Sequence, residues 1–231
     1  MSIAALIQGG KVLIAVAADI EARAVLSGLN ATTHDKLPAW QLHALRPNID
    51  LAVTGVGKAA AAGAVARVLV PHLHKLVLSV GIAGTYGVAP LSSIVAATES
   101  ILADEGVQTP TGFDNLAKLG FPLVEGGVSV RATDSVLHAL RRHADFTGPI
   151  ATVSTCSGTD DLAIAIHRRT QALAEAMEGA AVGLVANRLA VPFGELRIIS
   201  NTTGNRDRQV WQIKDALANL STVIGRLFPA T

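Results

Sequence analysis

The sequence predicts an α/β fold built on a mostly parallel sheet with helices on both faces. Two observations carry that prediction. Short apolar runs rich in β-branched residues alternate with helical patterns almost throughout the 231 residues, as a parallel sheet with crossover helices requires. No linker, low-complexity tract or repeat interrupts them, so a single domain over residues 1–231 is expected.

The first strand is expected at 11–17, where "KVLIAVAA" has the length of a buried strand. Helix 19–29 follows, with Asp19 and Glu21 in its first turn, a place the helix dipole favours for acids anyway. Strand 49–54 runs into "TGVGK" (54–58) and helix 57–70. Strand 75–81 ends in "GIAGTYG" (81–87), and strand 92–98 follows. Residues 76–98 carry no charge and are long enough to span a bilayer, but Gly81, Gly84, Gly87 and Pro90 argue for strand, loop and strand. Strand 127–131, helix 133–145 and strand 149–154 lead to "STCSGT" (154–159), which reads first as a turn and N-cap before helix 160–174. Helix 178–190 is apolar nearly all round until Asn187, so deep burial is expected. Glu178 then stands at the entrance to a buried helix, where a carboxylate is costly unless it binds something. Strand 193–200 ends at Ser200 and Asn201. In the last helix, 206–228, Val210, Ile213, Leu217, Leu220, Ile224 and Leu227 step by three and four, giving one apolar stripe.

Composition excludes several classes. Half the residues are hydrophobic with only 3% aromatic, which suits a core of close-packed small aliphatic side chains. A formal charge of +1 gives no electrostatic footprint for nucleic acid or an anionic membrane. The lone cysteine, Cys156, cannot form an intrachain disulfide. Residues 1–20 resemble a signal peptide faintly, but Lys11 interrupts the apolar part and no basic start precedes it. A soluble, cytoplasmic chain is expected.

In open α/β sheets ligands sit outside the C-terminal ends of the strands. The residues just after the strands are Asp19 and Glu21, "TGVGK", "GIAGTYG", "STCSGT", and Ser200 with Asn201, while Met177 and Glu178 open the buried helix. That set has no metal-ligand spacing, no nucleophile elbow and no phosphate-binding loop signature, so neither a metal nor a cofactor is expected. The seven histidines are scattered without ligand spacing and read as surface or satisfied core. Taken alone, the glycines mark turns, and Asn201 reads as a turn cap.

Together, "VAADIE" (16–21), "TGVGKAAAA" (54–62), "SVGIAG" (79–84), "AMEGAA" (176–181) and "RIISN" (197–201) resemble the purine nucleoside phosphorylase superfamily, in order and spacing its nucleosidase branch. "DEGVQTPTGFDNLAKLGFPL" (104–123) and "ISNTTGNRDRQVWQIKDAL" (199–217) are more similar to the futalosine hydrolases, which remove hypoxanthine from futalosine in a route to menaquinone. The resemblance implies a three-layer α/β/α fold with a mixed, mostly parallel sheet. It implies a nucleoside substrate and a homo-oligomer, at least a dimer. Glu21 would stand beside the attacking water, with Thr54 and Arg197 helping to hold that water or its neighbours. Met177 and Glu178 would meet the ribose. Backbone around Gly81 to Ala83, the 154–158 turn with Ser157, and Ser200 would line the base pocket. Asn201 stands where adenine-releasing members carry Asp, and its amide offers two donors suited to N7 and O6 of hypoxanthine. The futalosine tail carries a carboxylate that Arg206, Arg208 or Lys214 could meet, although an ordinary exposed helix face is the first reading of those three. An adenine-type nucleosidase and a catalytically silent nucleoside binder are the competing readings.

Overall fold

Strand β1 (Lys11–Val16) sits inside the sheet, between β3 (Ile49–Val53) and β4 (His74–Thr85), parallel to both. Its side chains alternate between two cores. Val12, Ile14 and Val16 pack on one face, and Leu13 and Ala15 on the other. A strand buried on both faces reads as a continuous apolar run, which is why these strands were legible from sequence.

In this computed structural model the described residues are 2–31, 36–125 and 127–229. The remaining elements in chain order are α1 (Ile3–Leu6), α2 (Asp19–Gly28), β2 (His43–Arg46), α3 (Lys58–Val68), β5 (Ile94–Leu102), β6 (Gly106–Thr109), β7 (Gly112–Asn115), β8 (Ser129–Arg131), α4 (Asp134–Leu140), β9 (Phe146–Thr152), α5 (Asp160–Thr170), β10 (Ala174–Ala176), α6 (Gly179–Arg188), β11 (Phe193–Thr202) and α7 (Ile213–Leu227). Nine strands form one mixed sheet in the order β10-β9-β5-β11-β4-β1-β3-β2, with β8 on β5, and β6–β7 is a separate hairpin. Residues of α1, α2, α4 and α7 pack into the core on one face of the sheet, and residues of α3 and α6 into the core on the other. No helix among the described residues is long and apolar enough to cross a membrane.

One pairing shapes the site. β10 is parallel to β9 but also antiparallel to the end of β4, so β4, β11, β5, β9 and β10 close on themselves. Closure draws β10 against the C-terminal ends of β4 and β11.

The structure departs from the sequence reading at several places, among them the helix expected over 133–145, which stops at Leu140, and the strand expected from 149, which starts at Phe146. The helix expected to 174 stops at Thr170; Gln171 takes a left-handed φ of 53°, and β10 follows. The last helix starts at Ile213, after a single 3-10 turn at Arg206–Arg208. Its buried stripe is Ala216, Leu220, Val223, Ile224 and Leu227, while Val210 is exposed because the chain is extended there. Finally α1, β2 and the β6–β7 hairpin are elements the apolar pattern does not mark, since β2, β6 and β7 contain no buried residue.

Candidate active site

The strand ends surround a cavity of about 470 Å³. Ala17, Ala18, Ile20 and Glu21 enter it from the β1–α2 junction, and Ile82, Ala83 and Gly84 from β4. Val56, Cys156 to Gly158, Glu175 to Glu178, Ser200, Asn201, Arg206, Gln209 and Trp211 complete the wall.

Glu21 lies in the first turn of α2 and is buried. One carboxylate oxygen accepts from the amides of Ala17 (2.9 Å) and Ala18 (3.1 Å), the latter a reach-back to the N-cap amide with no reciprocal bond, since alanine has no side-chain acceptor. The other accepts from the Ile82 amide at 2.9 Å. Burial raises its pKa above the ordinary 4.5, while the Arg197 charge and the Ile82 amide pull it partly back.

Arg197 is fully buried on β11 and organises the acids behind the cavity. Its Nε donates to Glu195 (2.8 Å), its Nη1 to Glu178 (3.3 Å) and its Nη2 to the Ser79 hydroxyl (3.0 Å). Burial alone would lower its pKa, but the charges of Glu195, Glu178 and Glu21 raise it above the usual value, so it stays a cation. Glu195 in turn accepts from the Ser100 hydroxyl. Glu178, the residue before α6, accepts from the Gly57 amide at 3.1 Å with its other oxygen. An acid at the start of a buried helix is thus matched by a buried guanidinium and a loop amide, which answers its desolvation cost.

Two glycines make room for this network. A Cβ at Gly81 would overlap the Glu21 carboxylate and come within 2.8 Å of the Arg197 guanidinium. A Cβ at Gly179 would overlap the carboxylate of Glu195. Gly179→Ala should therefore cost about 1–3 kcal/mol as an overpacked site, lowering Tm by several degrees for a chain of this length. A thermal melt checks it, and an unchanged Tm would show that Glu195 can move aside.

Asn201 is placed by an irregularity. Ile199 pairs with Ala83 and Asn201 with Gly84, so Ser200 is an extra residue in β11, a bulge of the kind that re-aims a side chain. The Asn201 amide nitrogen donates to the Thr202 carbonyl at 3.0 Å, and its oxygen lies 2.8 Å from the Ser200 hydroxyl. One of the two N–H groups is therefore spent within the strand, leaving one for a ligand where two were expected.

Of the residues singled out from sequence, Glu21, Ala83, Ser157, Met177, Glu178, Ser200 and Asn201 line the cavity. Gly81 and Arg197 lie just behind it, against Glu21 and Glu178. Thr54 does not line it: its hydroxyl faces the carbonyls of Val16 (3.2 Å) and Gly55 (2.8 Å). Arg206 lines the cavity with its guanidinium 4.6 Å from the Trp211 ring centre, whereas Arg208 pairs with Asp160 at 2.5 Å. Sequence reading passed over Glu175, Glu195, Ser79, Ser100 and Trp211. Glu195 left a signal, since Glu and Arg two apart in an apolar strand share one face and suit a buried ion pair.

Comparison with known proteins gives the family and the fold. A family model described as the phosphorylase superfamily matches residues 39–229. A futalosine hydrolase of Acidothermus cellulolyticus is 40% identical over 94% of this chain and 90% of its own length. Another, from Streptomyces coelicolor, is 37% identical over 94% of both chains. Two Helicobacter pylori structures share the fold at a TM-score of 0.76. One is a 5′-methylthioadenosine/S-adenosylhomocysteine nucleosidase variant with 5′-methylthioadenosine in its active site, 20% identical over 95% of this chain and 98% of its own. The other is a futalosine hydrolase mutant, 18% identical over 94% and 98%. The chain belongs to the phosphorylase superfamily and, within it, to the futalosine hydrolase family.

Proposed function

We propose that this chain hydrolyses the N-glycosidic bond of futalosine, releasing hypoxanthine and dehypoxanthinyl futalosine on the way to menaquinone. The observation that carries the reading is the pairing of two buried carboxylates, Glu21 and Glu178, on one cavity with an uncharged amide, Asn201. Glycoside hydrolysis passes through a sugar with oxocarbenium character. Two carboxylates beside that sugar stabilise its positive charge more than they stabilise the neutral substrate. Glu21 takes the proton of the attacking water. Glu178 accepts hydrogen bonds from adjacent ribose hydroxyls, with Met177 against the sugar. Asn201 donates to the departing base and cannot protonate it at neutral pH, so the base leaves as an anion with the glycosidic electron pair and takes a proton from solvent, to which Glu21 returns the proton of the water.

Water is favoured over phosphate as the nucleophile by what surrounds the glycine-rich loop. Lys58 is already paired with Asp104 (2.6 Å) and Glu105 (3.0 Å), and the Gly57 amide is taken by Glu178. Neither is left for an anion. A coupled assay for hypoxanthine, with futalosine as substrate and inosine as control, tests the reading; adenine released from methylthioadenosine in its place would replace it with an adenine-type nucleosidase.

Asn201→Asp should reduce kcat/KM on futalosine at least tenfold. It swaps a donor for an acceptor beside the 6-oxo group, and an unmet buried hydrogen bond costs roughly 1–3 kcal/mol. The 6-amino analogue should lose less or gain. An equal loss on both bases would reduce Asn201 to a turn residue.

The raised pKa of Glu21 sets the acid limb of the pH profile. A general base works only when deprotonated, so kcat/KM should be lost as pH falls through an apparent pKa above 4.5. A limb centred at or below 4.5 in a pH series would argue against Glu21 as the base.

The same reading makes the chain one domain over 1–231 and a cytoplasmic homo-oligomer. Val107, Leu119 and Phe121, exposed on the segment after β5, support a subunit contact. Its lone cysteine is exposed and free, which suits a reducing compartment.

A further inference from the structure

Glu175 is a buried carboxylate in the cavity wall that the mechanism above leaves without a task. Its oxygens accept from the Ser157 amide (2.7 Å), the Ser157 hydroxyl (2.6 Å) and the Tyr86 hydroxyl (2.7 Å). All three partners are neutral, and no salt bridge to Glu175 occurs among the described residues. A carboxylate has about four acceptor sites, so one remains beyond these three. The hydroxyls and the amide hold the group still without neutralising it. Burial, and then the charge of Glu175, raise the pKa of Tyr86, so its hydroxyl stays a donor.

The sheet register says what stands opposite. Gly84 of β4 pairs with Glu175 of β10 on one side and with Asn201 of β11 on the other. Residues level with one another across a sheet project from the same face. Glu175 and Asn201 are therefore two strand spacings apart, roughly 9–10 Å between backbones, with no side chain between them. A Cβ at Gly84 would stand 2.9 Å from the Asn201 amide nitrogen, and Gly84 itself lines the cavity. The floor is open, with an acceptor on one flank and a donor on the other.

We infer that Glu175 accepts the N1–H of a 6-oxopurine base lying across Gly84 while Asn201 donates to its N7/O6 edge from the opposite side. This rests on the reading of the chain as a futalosine hydrolase, and it assigns base choice to two residues. Asn201 alone has a single N–H to spare. A 6-aminopurine carries a lone pair at N1 and no hydrogen, so it would set two acceptors face to face at Glu175. Rejection of that base comes from a desolvated repulsive contact as well as from a lost bond.

The test is kcat/KM for futalosine and its 6-amino analogue, measured on the wild type and on Glu175→Gln, with melting curves to confirm folding. Gln can donate to an unprotonated N1. The 6-oxo to 6-amino ratio should fall at least tenfold, with the 6-amino compound gaining in absolute terms. An unchanged ratio in a folded variant overturns the assignment while leaving futalosine hydrolysis standing. A wild type that releases no hypoxanthine from futalosine overturns both. Should Glu175→Gln fail to fold, a crystal structure of the wild type with hypoxanthine decides. N1 about 3 Å from a Glu175 oxygen supports the assignment; N1 facing a main-chain carbonyl or water overturns it.

Discussion

Glu21→Gln should reduce kcat by ~10²–10⁴, the range that loss of a general base costs. Nucleoside affinity should stay within about tenfold, or roughly 1.4 kcal/mol. Glutamine keeps the size of the side chain and can still accept from the Ala17, Ala18 or Ile82 amides, but it cannot take a proton from water. Its amide group must also face one of those donors, so a modest loss of stability accompanies the loss of rate. Steady-state kinetics beside an equilibrium binding measurement separates the two effects. Near-normal kcat would remove Glu21 from the mechanism.

Glu178→Ala should damage ribose binding and folding together. Removing the carboxylate leaves the Gly57 amide without its acceptor and deprives Arg197 of one of its acidic partners. Each buried donor left unpaired costs about 1–3 kcal/mol, more when charged. In catalysis the variant loses both the ribose hydroxyl contacts and one of two anions facing the sugar, so kcat/KM should fall by ~10² or more, taking about 1.4 kcal/mol as tenfold. The distinguishing readout is a 2′-deoxy substrate. It should be poor for the wild type and lose much less on mutation than the ribo compound. Equal loss on both would mean that Glu178 holds Arg197 and the start of α6, and does not touch the hydroxyl.

The fold was legible where burial on both faces left a continuous apolar mark. β1, β3, β4 and β11 are such strands, and they differ from the sequence expectation only at their ends. β10 was not legible, because three residues are too few to display a period and its Glu175 looks like a helix-surface charge. Yet β10 closes the sheet and carries one flank of the cavity. From 206 to 212 the spacing of the apolar stripe, which Val210 fits, predicts the first turns of a helix. Main-chain pairing decides otherwise: Trp211 bridges to Asn201, and the Gln212 amide donates to the Ser200 carbonyl.

For the site, the acids at strand ends and helix starts stood out because charge there is exceptional. Their supports did not. Ser79 and Ser100 are ordinary strand residues until a buried guanidinium and a buried carboxylate need them. Thr54 stands at the expected strand end, but its hydroxyl turns to the main chain and not to the cavity. Side-chain direction at a strand end depends on local dihedrals that a pattern of residue types does not encode.

The most direct measurement is futalosine turnover in phosphate-free buffer enriched in H₂¹⁸O. The label must enter the sugar product if Glu21 activates water beside a glycine-rich loop whose Lys58 and Gly57 amide are already engaged. One hypoxanthine per labelled sugar is expected, and loss of both in Glu21→Gln. A requirement for phosphate with an unlabelled sugar phosphate as product, or no release of hypoxanthine at all, would contradict it.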